Sequence, residues 1–327
     1  MHNQTLPLVS ILTPTWNREK YLSSVWDGLN AQTNKSFEWI VANDGSEDNT
    51  VELVKSLAQK SDFPVTLINA STRIGKSRMD NEAVRCARGE FILWCDSDDM
   101  LLPNAVETLL AAWASIPESE RDGFAGVSAL CDTKDGILGD SYPREVHTDI
   151  EFNRLFLRMN SDLVIFTRSS LVKSNPFMEV DFLISESSVW NVIGVNKTRF
   201  IPIVLERKNY GEEHCLSHSG LMEYNRGKAY AMAIASHDLE KRLNIKEQIF
   251  RKINFFRYSI HGEINIREDF AKLHPKTTIY WFTFIALYPF AYSLAMKDRL
   301  QGKVRKTHRE FLAAQDVVKI DRQTLRV

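Results

Sequence analysis

Asp96-Ser97-Asp98-Asp99 places three carboxylates within four residues, directly after the apolar run Phe91–Cys95. Carboxylates this close repel one another unless a cation or several donors compensate them, and their hard oxygens suit Mg2+ or Mn2+. An ion held there can bridge a diphosphate and neutralise it as it leaves. The competing reading is an acidic turn that caps the following helix, because Asp is favoured at helix starts. Two further polar clusters follow apolar runs in the same way: Pro14-Thr15-Trp16-Asn17-Arg18 and Asn43-Asp44-Gly45-Ser46. A fourth segment, Gly75-Lys76-Ser77-Arg78, opens a helical pattern with two cations beside first-turn amides. That combination suits an anion, although a solvated basic helix start has the same residues.

The elements that must carry these clusters alternate. Leu8–Thr13, Phe37–Ala42, Val65–Ile68 and Phe91–Cys95 have the continuous apolar character of buried strands. Between them, Glu19–Gln32, Asp48–Gln59 and Lys76–Ala87 place apolar residues at the helical repeat, and Gly89 closes the third helix. This order predicts an α/β fold with a mostly parallel sheet and helices on both faces. Ligand sites in such sheets lie beyond the carboxyl ends of the strands, which is where three of the polar clusters fall. A helix at Pro103–Ser115, strands at Phe124–Leu130, Leu163–Thr167 and Arg199–Leu205, and a short helix at Ser185–Gly194 complete this half. From about Ser219 the pattern is helical and strand signals stop, so the expected division is residues 1–218 and 219–327.

In order and spacing, Val9–Arg18, Phe37–Thr50 and Gly89-Glu90-Phe91 leading to Asp96–Asp99 resemble the family 2 glycosyltransferases of the GT-A fold, across about residues 7–218. The resemblance implies inverting transfer of a sugar from a nucleotide-sugar, with a UDP-sugar as the expected donor and Mg2+ or Mn2+ as the cofactor. It places Pro14 and Trp16 at the nucleotide-base platform and Asp44 at the uracil imide. An aromatic face and one acceptor suit a pyrimidine edge, while Trp16 as an ordinary core aromatic is the alternative. Lys76, then Arg78, is assigned to the diphosphate. Asp96 and Asp98 are assigned to the nucleoside and metal, and Asp99 to the metal or donor sugar. His218 is a further candidate metal ligand, with His214 in the same segment.

The family's base lies in a Glu-Asp pair before a helix, and Glu186 matches the Glu while Ser187 replaces the Asp. Glu186 is therefore the candidate base, with Asp181 as its substitute, and a helix-start charge beside Ser185 is the structural alternative. The missing Asp also admits a protein that binds a nucleotide-sugar, or scaffolds a membrane complex, without catalysis. A retaining transferase is the remaining enzymatic alternative.

Residues 277–296 contain no formal charge but several Tyr and Trp, and Pro289 falls within them. This composition predicts an interfacial or shallow re-entrant element broken at Pro289. A helix pair packed on the protein is the other reading. From Lys297 to Val327 there are nine Lys or Arg and four Asp or Glu. Basic residues beside aromatic ones favour anionic lipid, so peripheral membrane contact through 277–309 and a lipid-linked saccharide acceptor are expected.

The whole chain of 327 residues has 41 Lys plus Arg against 42 Asp plus Glu. That balance provides no field to draw in nucleic acid, which is excluded as an expected partner. Cys86, Cys95, Cys131 and Cys215 have no paired metal spacing and no disulfide framework. Together with the absence of an export-like start, they predict a cytoplasmic protein on the inner membrane face.

Overall fold

The computed structural model describes residues 7–139, 146–159, 161–180, 182–209, 225–240, 243–265, 278–303 and 319–326. These form two compact units: 1–176, 193–210 and 312–327 in the first, and 177–192 and 211–311 in the second.

The first unit begins with strand β1 (Val9–Thr15), helix α1 (Leu22–Asn30), β2 (Phe37–Asn43), α2 (Thr50–Lys60), β3 (Val65–Ala70), α3 (Lys76–Cys86) and β4 (Phe91–Trp94). Every residue of β1 and β2 is buried, which accounts for their continuous apolar runs. In α1, Leu22, Val25 and Leu29 face inward, and in α2 Val54, Leu57 and Ala58 do so. There follow β5 (Met100–Leu101), α4 (Ala105–Ala114), β6 (Phe124–Thr133), β7 (Gly136–Ile137), β8 (Thr148–Glu151), α5 (Phe152–Met159), β9 (Leu163–Arg168) and α6 (Ser169–Ser174); α7 (Ser187–Ile193) falls almost wholly in the second unit, and β10 (Lys197–Arg207) returns to the first.

With a last strand, β11 (Ile320–Arg326), the strands join one mixed sheet in the order β11-β3-β2-β1-β4-β9-β6-β10-β5. The β3-β2-β1-β4 stretch is parallel, as the strand and helix alternation predicts, and β6 pairs parallel with β10. Pairing is antiparallel where β9 inserts between β4 and β6. Because two antiparallel steps separate β4 from β6, the strand ends of β1, β2, β4 and β10 lie along one edge of the sheet. Phe91 and Phe166 stack across the β4/β9 pair with ring centroids 4.5 Å apart, and Trp113 meets Phe91 edge-on at 5.1 Å. Burial of large aromatic surface of this kind holds the two directions of the sheet together.

Strand β11 (Ile320–Arg326) corrects the expectation of helix to the end of the chain. It pairs antiparallel with β3, from Ile320 opposite Ala70 to Arg326 opposite Val65. Only Ile320 and Leu325 are even partly buried, so the segment lacks the alternation that marks a strand. The free edge of β3 supplies the pairing instead.

In the second unit, α8 (Asn225–Glu240), α9 (Ile245–His261) and α10 (Thr278–Leu300) are helical, as the sequence leads one to expect. Ala229, Ala233, Phe255, Phe256, Tyr258 and Ala291 form their core. Asn244 and Glu247 close a capping box on α9. Pro289 lies inside α10, which continues through it, so no break divides the 277–296 run at that point. One lost backbone hydrogen bond is tolerable in a helix packed on its neighbours. Among the described residues no helix is long and apolar enough to cross a membrane.

Candidate functional site at the carboxyl edge of the sheet

The loops after β1 and β2 are tied to each other. Asn17 takes a positive φ of 52°, its amide donates to Ser46 Oγ at 2.8 Å, and its side-chain oxygen accepts from the Glu47 amide at 2.9 Å. The Asp44 amide donates to Thr15 O at 2.9 Å. Pro14 and Thr15 end β1 in the interior, whereas Trp16 remains partly exposed at the edge.

Asp44 is buried, and its Oδ1 accepts from the Ile74 amide at 2.6 Å and the Gly75 amide at 3.1 Å. Burial pushes its carboxyl above the ordinary value, opposed by those two amides and by the charges of Arg73 and Arg78. The Arg73 guanidinium lies 3.6 Å from the centroid of the Trp16 ring, and its Nε is 3.7 Å from Asp44 Oδ2. Residues 72–75 therefore form a hub that touches both Trp16 and Asp44. Gly75 of the hub has φ +100°, and Gly45, which packs against Thr72, has φ +65°, so both positions need glycine.

Gly75 is the N-cap of α3 and carries no capping side chain, while its own amide donates to Asp44. Lys76 Nζ donates to Asp80 Oδ2 at 3.1 Å. Arg78 is buried and donates from Nη1 to Ile74 O at 2.9 Å, so it supports the hub from beneath.

The acid loop after β4 meets the end of β10. Lys208 Nζ is 2.6 Å from Asp99 Oδ2, 3.3 Å from Glu206 Oε2 and 3.8 Å from Asp96 Oδ2. The Asn209 amide donates to Asp99 Oδ1 at 3.2 Å, and its side chain donates to Asp98 O at 2.6 Å. Burial pushes the Asp99 carboxyl up to about 8, with Lys208 pulling it down and Glu206 and Asp96 raising it further. For Lys208, burial disfavours the ammonium, but Glu206, Asp96 and Asp99 outweigh that and hold it charged. Burial likewise opposes ionisation of Asp96, yet Lys208, Lys76 and Arg18 keep its carboxyl below the ordinary value. Asp98 is raised, first by burial and then by repulsion from Asp96. Asp96 is thus compensated by neighbouring cations, whereas Asp98, raised by burial and by Asp96, is not.

Those two side chains supply hard oxygens that suit a divalent cation. Among the described residues no group of three or more His, Cys, Asp and Glu could hold a metal ion. Two carboxylates completed by water and substrate phosphates are nevertheless a usual Mg2+ arrangement. His218, His214, Asp181 and Cys215 lie outside the described residues.

Glu186 belongs to the second unit, partly buried at the residue before α7. Its carbonyl accepts from the Val189 amide at 2.9 Å, and Ser185 Oγ accepts from the Ser187 amide at 3.3 Å. The first unit brings Pro14, Trp16, Asp44, Lys76, Arg78, Asp96, Asp98 and Asp99 to one sheet edge. Sequence reasoning overlooked Arg73, Glu206, Lys208 and Asn209. Glu206 lies at the carboxyl end of β10, and Lys208 and Asn209 follow it as the recognised clusters follow their strands, so the same topological rule identifies them once β10 is known to be parallel to β4.

Residues 10–165 match the family described as Glycosyl transferase family 2. Similar proteins include the GalNAc(5)-diNAcBac-PP-undecaprenol beta-1,3-glucosyltransferase of Campylobacter jejuni, 26% identical over 60% of this chain and 62% of that protein. Glycosyltransferase GlyG of Streptococcus pneumoniae is 28% identical over 54% of this chain and 60% of its own length. The chain therefore spans about 60% of the length of these two relatives. Among solved structures, S. aureus TarS 1–349 in complex with UDP-GlcNAc superposes with a TM-score of 0.54 at 16% identity, over 95% of this chain and 98% of that one. At that identity the likeness establishes the fold. The matched segment, the sheet topology and the polar edge agree: residues 10–165 of this chain are similar to Glycosyl transferase family 2, and the fold is of the GT-A type.

Proposed function

We propose that this chain transfers a sugar from a nucleotide-sugar, a UDP-sugar by preference, to a saccharide acceptor carried on a lipid, with inversion at the anomeric carbon. The observation that carries this reading is the convergence on one sheet edge of the Trp16–Arg73 stack, Asp44 and the neighbouring carboxylates Asp96 and Asp98. Trp16 and Asp44 offer a stacking face and an acceptor for the base. The start of α3, whose N-cap Gly75 carries no capping side chain, favours the diphosphate together with Lys76, while Arg78 bonds to the hub at Ile74 O.

Asp96 and Asp98 are the residues that would hold Mg2+ or Mn2+. When bound, the ion supplies Lewis-acid neutralisation of the departing diphosphate. Glu186 is assigned to accept the proton of the acceptor hydroxyl as its oxygen bonds to the anomeric carbon and the nucleoside diphosphate departs. Lipid linkage draws support from the acceptor named for the Campylobacter relative. It draws further support from α10, where Phe290, Tyr292 and Leu294 are exposed near the exposed cations Lys297, Arg299 and Lys303. This arrangement favours peripheral contact with an anionic membrane.

The test is turnover of a panel of UDP-sugars with Mg2+ or Mn2+ and a lipid-linked saccharide, for the parent chain and for Asp98→Asn and Glu186→Gln. Loss of metal-dependent UDP release in Asp98→Asn supports the metal assignment. Full turnover in Glu186→Gln removes Glu186 from the base role. UDP binding with no consumption of any donor would establish the non-catalytic binding protein instead.

A further inference from the structure

We infer that the C-terminal strand β11 is a positioning strap for the donor site, acting through residues 72–75; the functional meaning of this inference rests on the donor-site reading above. The charge pattern of the chain suggests membrane contact for all the basic residues after 297. Strand β11 is instead bonded to both segments that flank the hub.

Before the hub, the Ser71 amide donates to Lys319 O at 2.9 Å and the Lys319 amide donates to Ser71 Oγ at 3.2 Å. After the hub, Arg322 Nε donates to Glu82 Oε2 at 3.0 Å, and a second bond runs from Nη2 to the same oxygen. Glu82 is a buried residue of α3, the helix that follows the hub's last residue, Gly75. The strap therefore holds the entry to the hub by backbone pairing and its exit by an ion pair.

Between these anchors lie three groups on which the site depends. Arg73 stacks on Trp16, and the Ile74 and Gly75 amides hold the Asp44 carboxylate. A short loop anchored at both ends loses less entropy when it orders around a ligand. Without the strap, β3 is an open edge strand and the loop loses its anchors at Ser71 and Glu82.

The charged pair can be tested without dismantling the sheet, because the Arg322 side chain is about half exposed while that of Glu82 is buried. In the full chain, Arg322→Ala is compared with Arg322→Lys and with a chain ending at residue 318. The first readout is hydrogen exchange at the Ile74 and Gly75 amides, with no ligand present. The expected result is at least about tenfold faster exchange at these two amides in Arg322→Ala and in the shortened chain, with β1 and β4 amides unchanged. Arg322→Lys should recover part of the protection, and a peptide of residues 318–327 added to the shortened chain should recover more. Unaltered exchange at Ile74 and Gly75 in Arg322→Ala overturns the strap, whether or not the shortened chain folds.

The second readout is donor kinetics. A strap predicts a KM for the UDP-sugar raised about tenfold with kcat within a factor of about two, whereas general destabilisation lowers active protein and leaves KM unchanged. If the parent chain binds no UDP-sugar, the donor-site reading fails while the exchange result still decides the strap.

Discussion

The Lys208 ammonium lies 2.6 Å from Asp99 Oδ2, within a buried group that also contains Glu206, 3.3 Å from the same nitrogen. One cation serves several carboxylates, so the acid loop after β4 and the end of β10 are held together by charge. Asp99 is thereby bound internally, Asp96 is held ionised by Lys208, Lys76 and Arg18, and Asp98 is raised by burial and by Asp96.

Lys208→Met should destabilise the chain by about 3–5 kcal/mol, because removing one partner leaves buried carboxylates uncompensated. Chemical denaturation measures this. Combining it with Asp99→Asn and Glu206→Gln should cost less than Lys208→Met alone, since the uncompensated charges go too. A larger loss in the triple variant would show that the cluster does not act as one network.

Gly45→Ala tests the hub from the opposite side. At φ +65° an alanine is strained, and its Cβ would fall 2.6 Å from the Arg73 amide nitrogen. The expected outcome is a loss of about 1–3 kcal/mol in stability together with weaker UDP binding. Thermal melting and calorimetric titration with UDP measure the two effects. Unchanged values for both would mean that the Asp44 and Arg73 segments are less constrained than this packing requires.

In the second unit, Arg257 Nη2 donates to Asp298 Oδ1 at 2.6 Å, and His261 Nε2 lies 3.1 Å from Asp298 Oδ2. Burial opposes ionisation of Asp298, but its bonds from Arg257 and His261 outweigh that and hold the carboxyl below its ordinary value. Its contribution is therefore present above the unfolded value, about 3.9, and is lost as pH falls through the lower folded value. Burial holds His261 below the usual imidazole value, with Asp298 acting against it. Protonation of that ring favours unfolding as pH falls below about 6.5. Melting of the full chain across pH 3–7 should show both losses. Asp298→Asn should abolish the lower-pH loss, and an unchanged profile would remove Asp298 from it.

Membrane contact through α10 predicts binding to vesicles of phosphatidylglycerol but not of phosphatidylcholine alone, measured by sedimentation. Lys297→Glu, Arg299→Glu and Lys303→Glu together should weaken it by at least about 3 kcal/mol, at roughly 1 kcal/mol per basic residue removed. Phe290→Ser should weaken binding in a way that added salt does not reproduce. Equal binding to both vesicle types would overturn the charge argument.

Much of the first unit was legible in the sequence because its strands are buried on both faces and its helices on one. The runs at Val9, Phe37, Val65 and Phe91 announce strands, and Leu22, Val25 and Leu29 announce the face of α1. Strand ends in an α/β sheet concentrate ligand contacts, so Trp16, Asp44 and the acid cluster could be singled out by position and type.

Other relationships depend on partners distant in the chain and have no local signature. Lys208 meets Asp99 only because β9 turns the sheet direction and brings β10 parallel to β4. Arg73 reads as an unremarkable loop cation until the fold lays it on Trp16. Strand β11 is written in polar, mostly exposed residues and exists because β3 offers an unpaired edge. Local patterning therefore determined which elements form and where chemistry gathers. Tertiary structure decided which charges meet, because Coulomb attraction and edge pairing depend on distance in space and leave no period in the chain.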